Sequence, residues 1–354
     1  MWQPPAPRVE LGHLSHQLLP FFKGHRLSQI TIAEVDRYRT SKAARASKIK
    51  SAAAQGKPFM DEYTDSRGRK HRRPRRALSV TSINKTLTRL AQILERAVEY
   101  GHIPTNPAKG QRRRLKAAKP TPVWLDSAAS VQALRDAAGE LDRQLKARTP
   151  RRTILATLVF SGLRISELVE LRWRDLDLAA GRITVRASKT DAGMRRIDLL
   201  PVLQDELATH KAGVRAHPDG RVFSASRGGP MNPSNIRNRV LRPAVKRANK
   251  NLANAGMVPL PGLTPHKLRH TYTSVLAALG TDPGAMMDQL GHTDPGLALR
   301  VYRHSMRRDQ ESKDQLRALV GVDSPGSSDV SGTISGTNSE NGYVSSPTGG
   351  TVQE

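Results

Sequence analysis

The chain has 354 residues, 58 Lys and Arg against 31 Asp and Glu for a formal charge of +27, no cysteine, and only 14 Phe, Trp and Tyr. Lack of cysteine excludes disulfides, a thiol nucleophile and Cys-ligated zinc or iron–sulfur sites, and no apolar run approaches the roughly 20 residues of a membrane helix. So large a basic surplus implies a polyanionic partner, and the scarcity of aromatic platforms favours duplex DNA over single strands or RNA.

The Pro-rich start, Met1 to Glu10, lacks the charged-then-apolar layout of a secretory signal, so a cytoplasmic, DNA-associated location and about two domains are expected. A helix is predicted from about Ile32 to Ala44. A polar insertion follows, at about residues 41–78, and contains SRGRKHRRPRR, seven Lys and Arg in the eleven residues Ser66 to Arg76. Such a run is either a solvated loop or a phosphate contact, for which Arg72, Arg73, Arg75 and Arg76 are the candidates. Ile83, Leu87, Leu90, Ile93, Leu94, Ala97 and Val98 recur at helical spacing, with Ser79, Thr81 or Ser82 as N-cap and Gly101 as C-cap. The basic stretch QRRRLKAAKPTP, Gln111 to Pro122, reads as an exposed connector, with Arg112, Arg113 and Arg114 as further DNA contacts.

Beyond the connector, helices are predicted at Val131 to Leu145, Arg152 to Phe160 and Arg164 to Leu171. An alternating strand, Arg182 to Arg186, is separated by a polar turn holding Lys189 from a second, Arg195 to Leu199. Further helices follow at Pro233 to Asn249, Pro265 to Leu279, Pro283 to Leu290 and Pro295 to about Met306. From Gly321 to Glu354 there is no Lys or Arg, four acids, and mostly Gly, Ser and Thr, a composition expected to be disordered. The fold class is therefore mainly α with a small antiparallel β-sheet (α+β): a small helical domain joined to a larger one.

Phosphodiester chemistry needs charge stabilisation on the non-bridging oxygens, a nucleophile and a leaving-group acid. The chain has no carboxylate cluster with convincing metal-ligand spacing, no HExxH and no Gly-rich GKS/T loop, but it is well supplied with Arg, Lys and His. In LTPHKLRHTYTSVLAALG, Leu263 to Gly280, Thr264 is a good N-cap and Pro265 a good first residue. His266, Lys267, Arg269 and His270 then oppose the helix dipole, an arrangement that makes sense around a bound anion. In SGLRISELVELRWRDLDL, Arg164 enters a helix that carries Glu167, whose simplest role is an ion pair with it. In LGHTDPGLALRVYRH, His292 precedes a Pro-started helix carrying Tyr302. Each segment alone could be an ordinary basic or structural element.

Taken in order, Arg164, Lys189, HKLR from His266 to Arg269, Leu-Gly-His292 and Tyr302 resemble the tyrosine recombinases, the phage integrase family, in particular phage or mobile-element integrases. The resemblance covers about residues 120–310. It extends into the first domain, where INKTLTRLAQILERAVEYGHIPTNPAKG is similar to the family's core-binding region. It implies a helical core-binding (SAM-like) domain over 1–116, a linker over 117–122, a catalytic domain over 123–320 and the tail over 321–354. Many members carry an additional N-terminal arm-binding domain; because the core-binding region begins almost immediately here, either that domain is missing or the chain is a shortened copy.

By resemblance, Tyr302 is the nucleophile that forms a 3′-phosphotyrosyl link, and Arg164 and Arg269 grip the non-bridging oxygens. His266 assists proton transfer, Lys189 is the leaving-group acid, His292 bonds the phosphate and Glu167 supports the cluster. No metal or cofactor is implied. Tyr272, one helical turn after Arg269, is expected to be packing rather than the nucleophile. Implied partners are duplex DNA bearing recombination sites, a homotetramer on DNA and accessory bending or directionality factors, with no membrane. The stretch after Tyr302 is expected to pack on a neighbouring protomer, because Leu316, Leu319 and Val320 have no obvious partner within their own segment. The expected function is site-specific recombination, integrating or excising a prophage or mobile element; the alternatives are a type IB-like topoisomerase and a non-catalytic DNA-binding protein.

Overall fold

A computed structural model of the chain describes residues 12–65, 68–118, 123–145, 149–186, 194–225, 228–291 and 295–322. The chain divides into two compact units, one ending at Pro120 and the other beginning at Thr121.

In the first unit a π-helical turn, Leu14–Leu18, runs into α1 (Leu19–Phe22). It is followed by α2 (Ile32–Ala54), strands β1 (Met60–Thr64) and β2 (Lys70–Pro74), and α3 (Val80–Glu99). Helix α2 continues well past the expected end at Ala44. Its second half, RASKIKSAAA, has no breaker, and Ala46 and Ile49 extend the inward face begun by Val35 and Tyr38. Much of the basic insertion is thus folded, and β1 and β2 form an antiparallel hairpin from Met60↔Pro74 to Thr64↔Lys70. Ser79 caps α3 by accepting from the Ser82 amide. Ile83, Leu87, Leu90, Leu94 and Ala97 pack on Leu18, Phe22, Val35 and Tyr38, whereas Ile93 faces outward at 43% exposure. The buried Tyr38 hydroxyl donates to Thr86 Oγ1, which donates to the Ile83 carbonyl, so this apolar core holds a satisfied polar chain.

The second unit is built on two central helices, α5 (Arg151–Ser161), which packs on α4 (Ala128–Leu145), and α9 (Pro265–Ala278). Every residue of α5 from Thr153 to Ser161 and of α9 from Leu268 to Ala278 is buried. Burying each large aliphatic side chain stabilises by about 1.5–3 kcal/mol, and the hydroxyls of Thr157, Ser161 and Thr273 bond carbonyls one turn back. Around this pair lie α6 (Ile165–Glu170), α7 (Pro201–Ala212), α8 (Arg242–Asn254), α10 (Pro283–Leu290), α11 (Pro295–Met306) and α12 (Gln310–Val320). Strands β3 (Leu176–Asp177), β4 (Arg182–Val185) and β5 (Arg195–Asp198) form one antiparallel sheet in the order β3-β4-β5. The fold is mainly α with small antiparallel sheets, as expected; α7 and the β1–β2 hairpin were not foreseen.

Within the single chain the C-terminal helix does find partners. Helix α12 docks on α4, α7 and α9 of its own unit, with Leu316 and Val320 buried in the same core. Its apolar residues have no partner within the segment because their partners lie far back in the sequence. Among the described residues no helix is long and apolar enough to cross a membrane.

Candidate active site

Helix α5 ends at Gly162, whose left-handed backbone (φ 60°) turns the chain sharply into α6. Arg164 is the N-cap of α6. Its amide donates to Glu167 Oε2 at 2.8 Å and its Nη1 to Glu167 Oε1 at 2.8 Å, the ion pair the sequence suggested. A second guanidinium closes on the same carboxylate: Arg195, the first residue of β5, places Nη1 3.1 Å from Oε1 and Nη2 2.8 Å from Oε2. The side chains of Arg195 and Glu167 are only 4% and 6% exposed. Burial alone would raise the Glu167 pKa, but the bonds and charge of Arg195, then those of Arg164, outweigh it and hold the group below the usual carboxylate range.

Arg269, on α9, is 1% exposed. Its Nη1 donates to the Gly162 carbonyl at 2.5 Å and its Nη2 to the Leu290 carbonyl. The end of α10 therefore receives three arginines on three successive carbonyls: Arg195 Nε on Gln289 at 2.7 Å, Arg269 on Leu290, and Arg164 Nη2 on Gly291 at 3.0 Å. Cations suit the negative end of a helix dipole, and carbonyls there lack intrahelical donors. Burial, then the charges of Arg164 and Arg195, lower the Arg269 pKa to about 9, which leaves it charged at neutral pH.

Thr264 caps α9 as expected, accepting from the Lys267 amide. His266 lies in the first turn, and burial followed by the charges of Arg269 and Arg164 lowers its pKa, so the neutral imidazole prevails at pH 7. The His270 ring meets it edge-on at 4.6 Å and is lowered to about 4 by burial, His266, Arg269 and Lys267. Tyr272 is fully buried, donates to Gln289 Oε1 at 2.7 Å, and is pushed by burial well above the usual phenol range. Tyr302 is half-buried on α11 and packs against the core. Lys189 and His292 lie outside the described residues.

Residues 128–308 match the phage integrase family. The tyrosine recombinase XerC of Xanthomonas campestris pv. campestris strain B100 is 30% identical over 281 residues, which cover 78% of this chain and 80% of that protein. The chain belongs to the phage integrase family. XerC of Xylella fastidiosa strain M23 is likewise 30% identical, over 236 residues covering 65% of this chain and 72% of that protein. In fold, the integrase is similar to the Tn1549 transposon integrase in complex with a circular intermediate DNA, with TM-score 0.61, 19% identity, and 87% and 92% of the two chains covered. It is also similar to a lambda integrase dimer bound to a COC′ core site, with TM-score 0.54, 18% identity, and 85% and 88% covered. The integrase is a site-specific tyrosine recombinase, an enzyme that breaks and rejoins double-stranded DNA.

Sequence reasoning missed one member of the recombinase's cluster, Arg195. Its signal was available: Arg195 and Ile197 share the inward face of β5, and an arginine on an inward strand position requires a buried acceptor.

The first-unit arginines fall into two groups. Arg72 and Arg73 lie on β2, followed by Arg75 and Arg76, and Arg73, Arg75 and Arg76 line a cavity of about 640 Å³ with Lys42 and Arg45. Lys42 is 7% exposed; its Nζ donates to Gln17 Oε1 at 3.1 Å and burial, then Arg45, lowers its pKa. Acids reduce the hairpin's charge: Asp61 takes Arg75 at 2.6 Å and Glu62 faces Arg72 at 3.4 Å. In the second group, Arg113 is tied to Asp36 at 3.2 Å and Arg114 to Thr88 Oγ1 at 3.4 Å, while the Arg112 carbonyl accepts from Arg39.

Proposed function

We propose that the recombinase integrates or excises a mobile element or prophage by a metal-independent exchange, in a synaptic homotetramer on DNA, within a catalytic domain over 123–320 preceded by a core-binding domain over 1–116. Tyr302 is the nucleophile. Its phenolic oxygen attacks the scissile phosphorus, His266 takes the phenolic proton, and the phosphorus–O5′ bond breaks as Lys189 protonates the leaving oxygen. A 3′-phosphotyrosyl link and a free 5′-hydroxyl result, and the reverse sequence reseals a strand. Arg164 and Arg269 neutralise the non-bridging oxygens, His292 bonds the phosphate and Glu167 supports the arginines.

The observation that carries this reading is the convergence of Arg164 and Arg269 on the neighbouring carbonyls of Gly291 and Leu290, with His266 in the first turn of Arg269's own helix, where burial and the two arginines favour the neutral imidazole. A phenol with a pKa near 10 needs a base and nearby cations to attack at neutral pH, and a charged imidazole could not serve as that base. Arg suits the phosphate because its planar fork is charged at neutral pH and can donate two bonds at once. The basic hairpin, with Arg72, Arg73, Arg75 and Arg76, and the segment Arg112 to Arg114 would contact flanking phosphates.

The test is covalent trapping. Full-length protein is incubated in EDTA with sheared DNA of the organism that encodes it, adducts are recovered after denaturation, and the attached DNA is sequenced to define the site. Adducts at a recurring sequence are expected with the natural chain and none with Tyr302→Phe. Adducts from Tyr302→Phe would overturn the nucleophile, and loss of adducts in EDTA would overturn the metal-independent route.

A further inference from the structure

We infer that Arg195 is a positioning residue of the recombination reaction: it holds Glu167 and the last turn of α10 so that Arg164 presents its guanidinium to the scissile phosphate. The inference rests on the proposed role of Arg164 at that phosphate.

The argument is one of competition for a single buried carboxylate. An arginine and a carboxylate three residues apart, alone in a desolvated site, favour a two-pronged pair that would turn the whole fork of Arg164 onto Glu167. Here Arg195 occupies both oxygens of Glu167, at 3.1 and 2.8 Å, and Arg164 keeps one prong there through Nη1. The other prong, Nη2, is thereby released to the Gly291 carbonyl at 3.0 Å. Arg195 also fixes the element that carries that carbonyl, since its Nε holds Gln289 two residues earlier at 2.7 Å. Glu167, the end of α10, Arg195 and Arg164 are thus one frame, in which Arg164 is the member proposed to touch the scissile phosphate.

A lysine cannot replace this function. It keeps a positive charge for Glu167 but lacks the planar fork that reaches both carboxylate oxygens and the Gln289 carbonyl together.

The experiment compares the natural chain, Arg195→Lys, Arg195→Ala and Arg164→Ala as full-length proteins. Each is given the duplex recovered by covalent trapping, with either an ordinary scissile phosphate or a methylphosphonate, in which a methyl group replaces one non-bridging oxygen and removes the charge. On the phosphodiester, Arg195→Lys should form adduct about tenfold or more slowly, with DNA affinity changed less than about threefold. On the methylphosphonate, which makes little demand on a guanidinium, the deficits of Arg164→Ala and of the Arg195 variants should both shrink to within about threefold of the natural chain. Arg195→Lys retains the buried charge and so reports even if Arg195→Ala does not fold. A deficit that shrinks for Arg164→Ala but persists for Arg195→Lys would overturn the inference and leave Arg195 a structural residue. Natural rates for Arg195→Lys on the phosphodiester would overturn it too. If the Arg164→Ala deficit itself persisted, the role of Arg164 would fall, and the inference with it.

Discussion

Gly162 lies against the ring of Tyr272 so closely that a Cβ on it would overlap Tyr272 Cδ1 and stand 3.0 Å from Leu290 Cδ2. The position therefore excludes a side chain twice, by this contact and by its left-handed backbone at φ 60°. Gly162→Ala should cost about 2 kcal/mol or more, read as a lower urea midpoint. It should also slow adduct formation, since the Gly162 carbonyl anchors Arg269. An unchanged midpoint would show that the α5–α6 turn tolerates a methyl group.

Two tyrosines stand in opposite environments and should respond oppositely. Tyr272→Phe removes a buried donor and strands Gln289 Oε1, so it should lower stability by about 1 kcal/mol while adducts still form. Tyr302→Phe should leave stability and DNA affinity nearly unchanged and abolish adducts. Denaturing gels with a urea titration of each variant check both statements.

Acid should begin to weaken the recombinase at a pH where most carboxylates are still ionised. The unfolded chain takes up a proton at His270 near pH 6.5, the folded chain only near pH 4. Folding stability contributed by this group is therefore constant above pH 6.5 and falls as pH drops through that window, by about 2 kcal/mol on reaching pH 5. His266 shifts in the same direction and adds to the slope. Urea midpoints at several pH values, compared with His270→Phe, test this; the variant should show the shallower dependence.

The four hairpin arginines should not contribute equally to DNA binding. Arg75 and Arg72 already face Asp61 and Glu62, whereas the Arg73 guanidinium lies over the Tyr63 ring at 5.0 Å. Neutralising Arg73 and Arg76 together should reduce the salt dependence of DNA binding by up to about 0.9 log units per lost phosphate contact. Neutralising Arg72 and Arg75 should change it less. Equal slopes for the two double variants would refute the distinction.

The catalytic blocks were readable because they are short and contiguous: a capped helix with His266 and Arg269 in its first turns, and Arg164 one helical turn from Glu167. Arg195 was harder to read, because the pair Arg195-Arg196 offers an arginine to each face of the strand and Ile197 alone marks which face turns inward. The β1–β2 hairpin was hidden for a related reason. Nine of its ten strand residues are exposed, so no apolar alternation distinguishes MDEYT and KHRRP from a charged loop. Helix α2 was cut short because its second half buries only Ala46 and Ile49. Helix α7 escaped because its buried residues, Leu203 and Leu207, amount to a single pair one turn apart.

Helix α12 places the last buried aliphatics of the described chain, Leu316 and Val320, in the seam between α4, α7 and α9. A nuclease-mapping or expression design that stops at Asp309 would not simply remove an appendage. It would open that seam to water and leave an apolar trough on the surface, so insolubility would precede any measurable change in subunit assembly. Tags or fusions are better attached after Val322, where the seam is already closed.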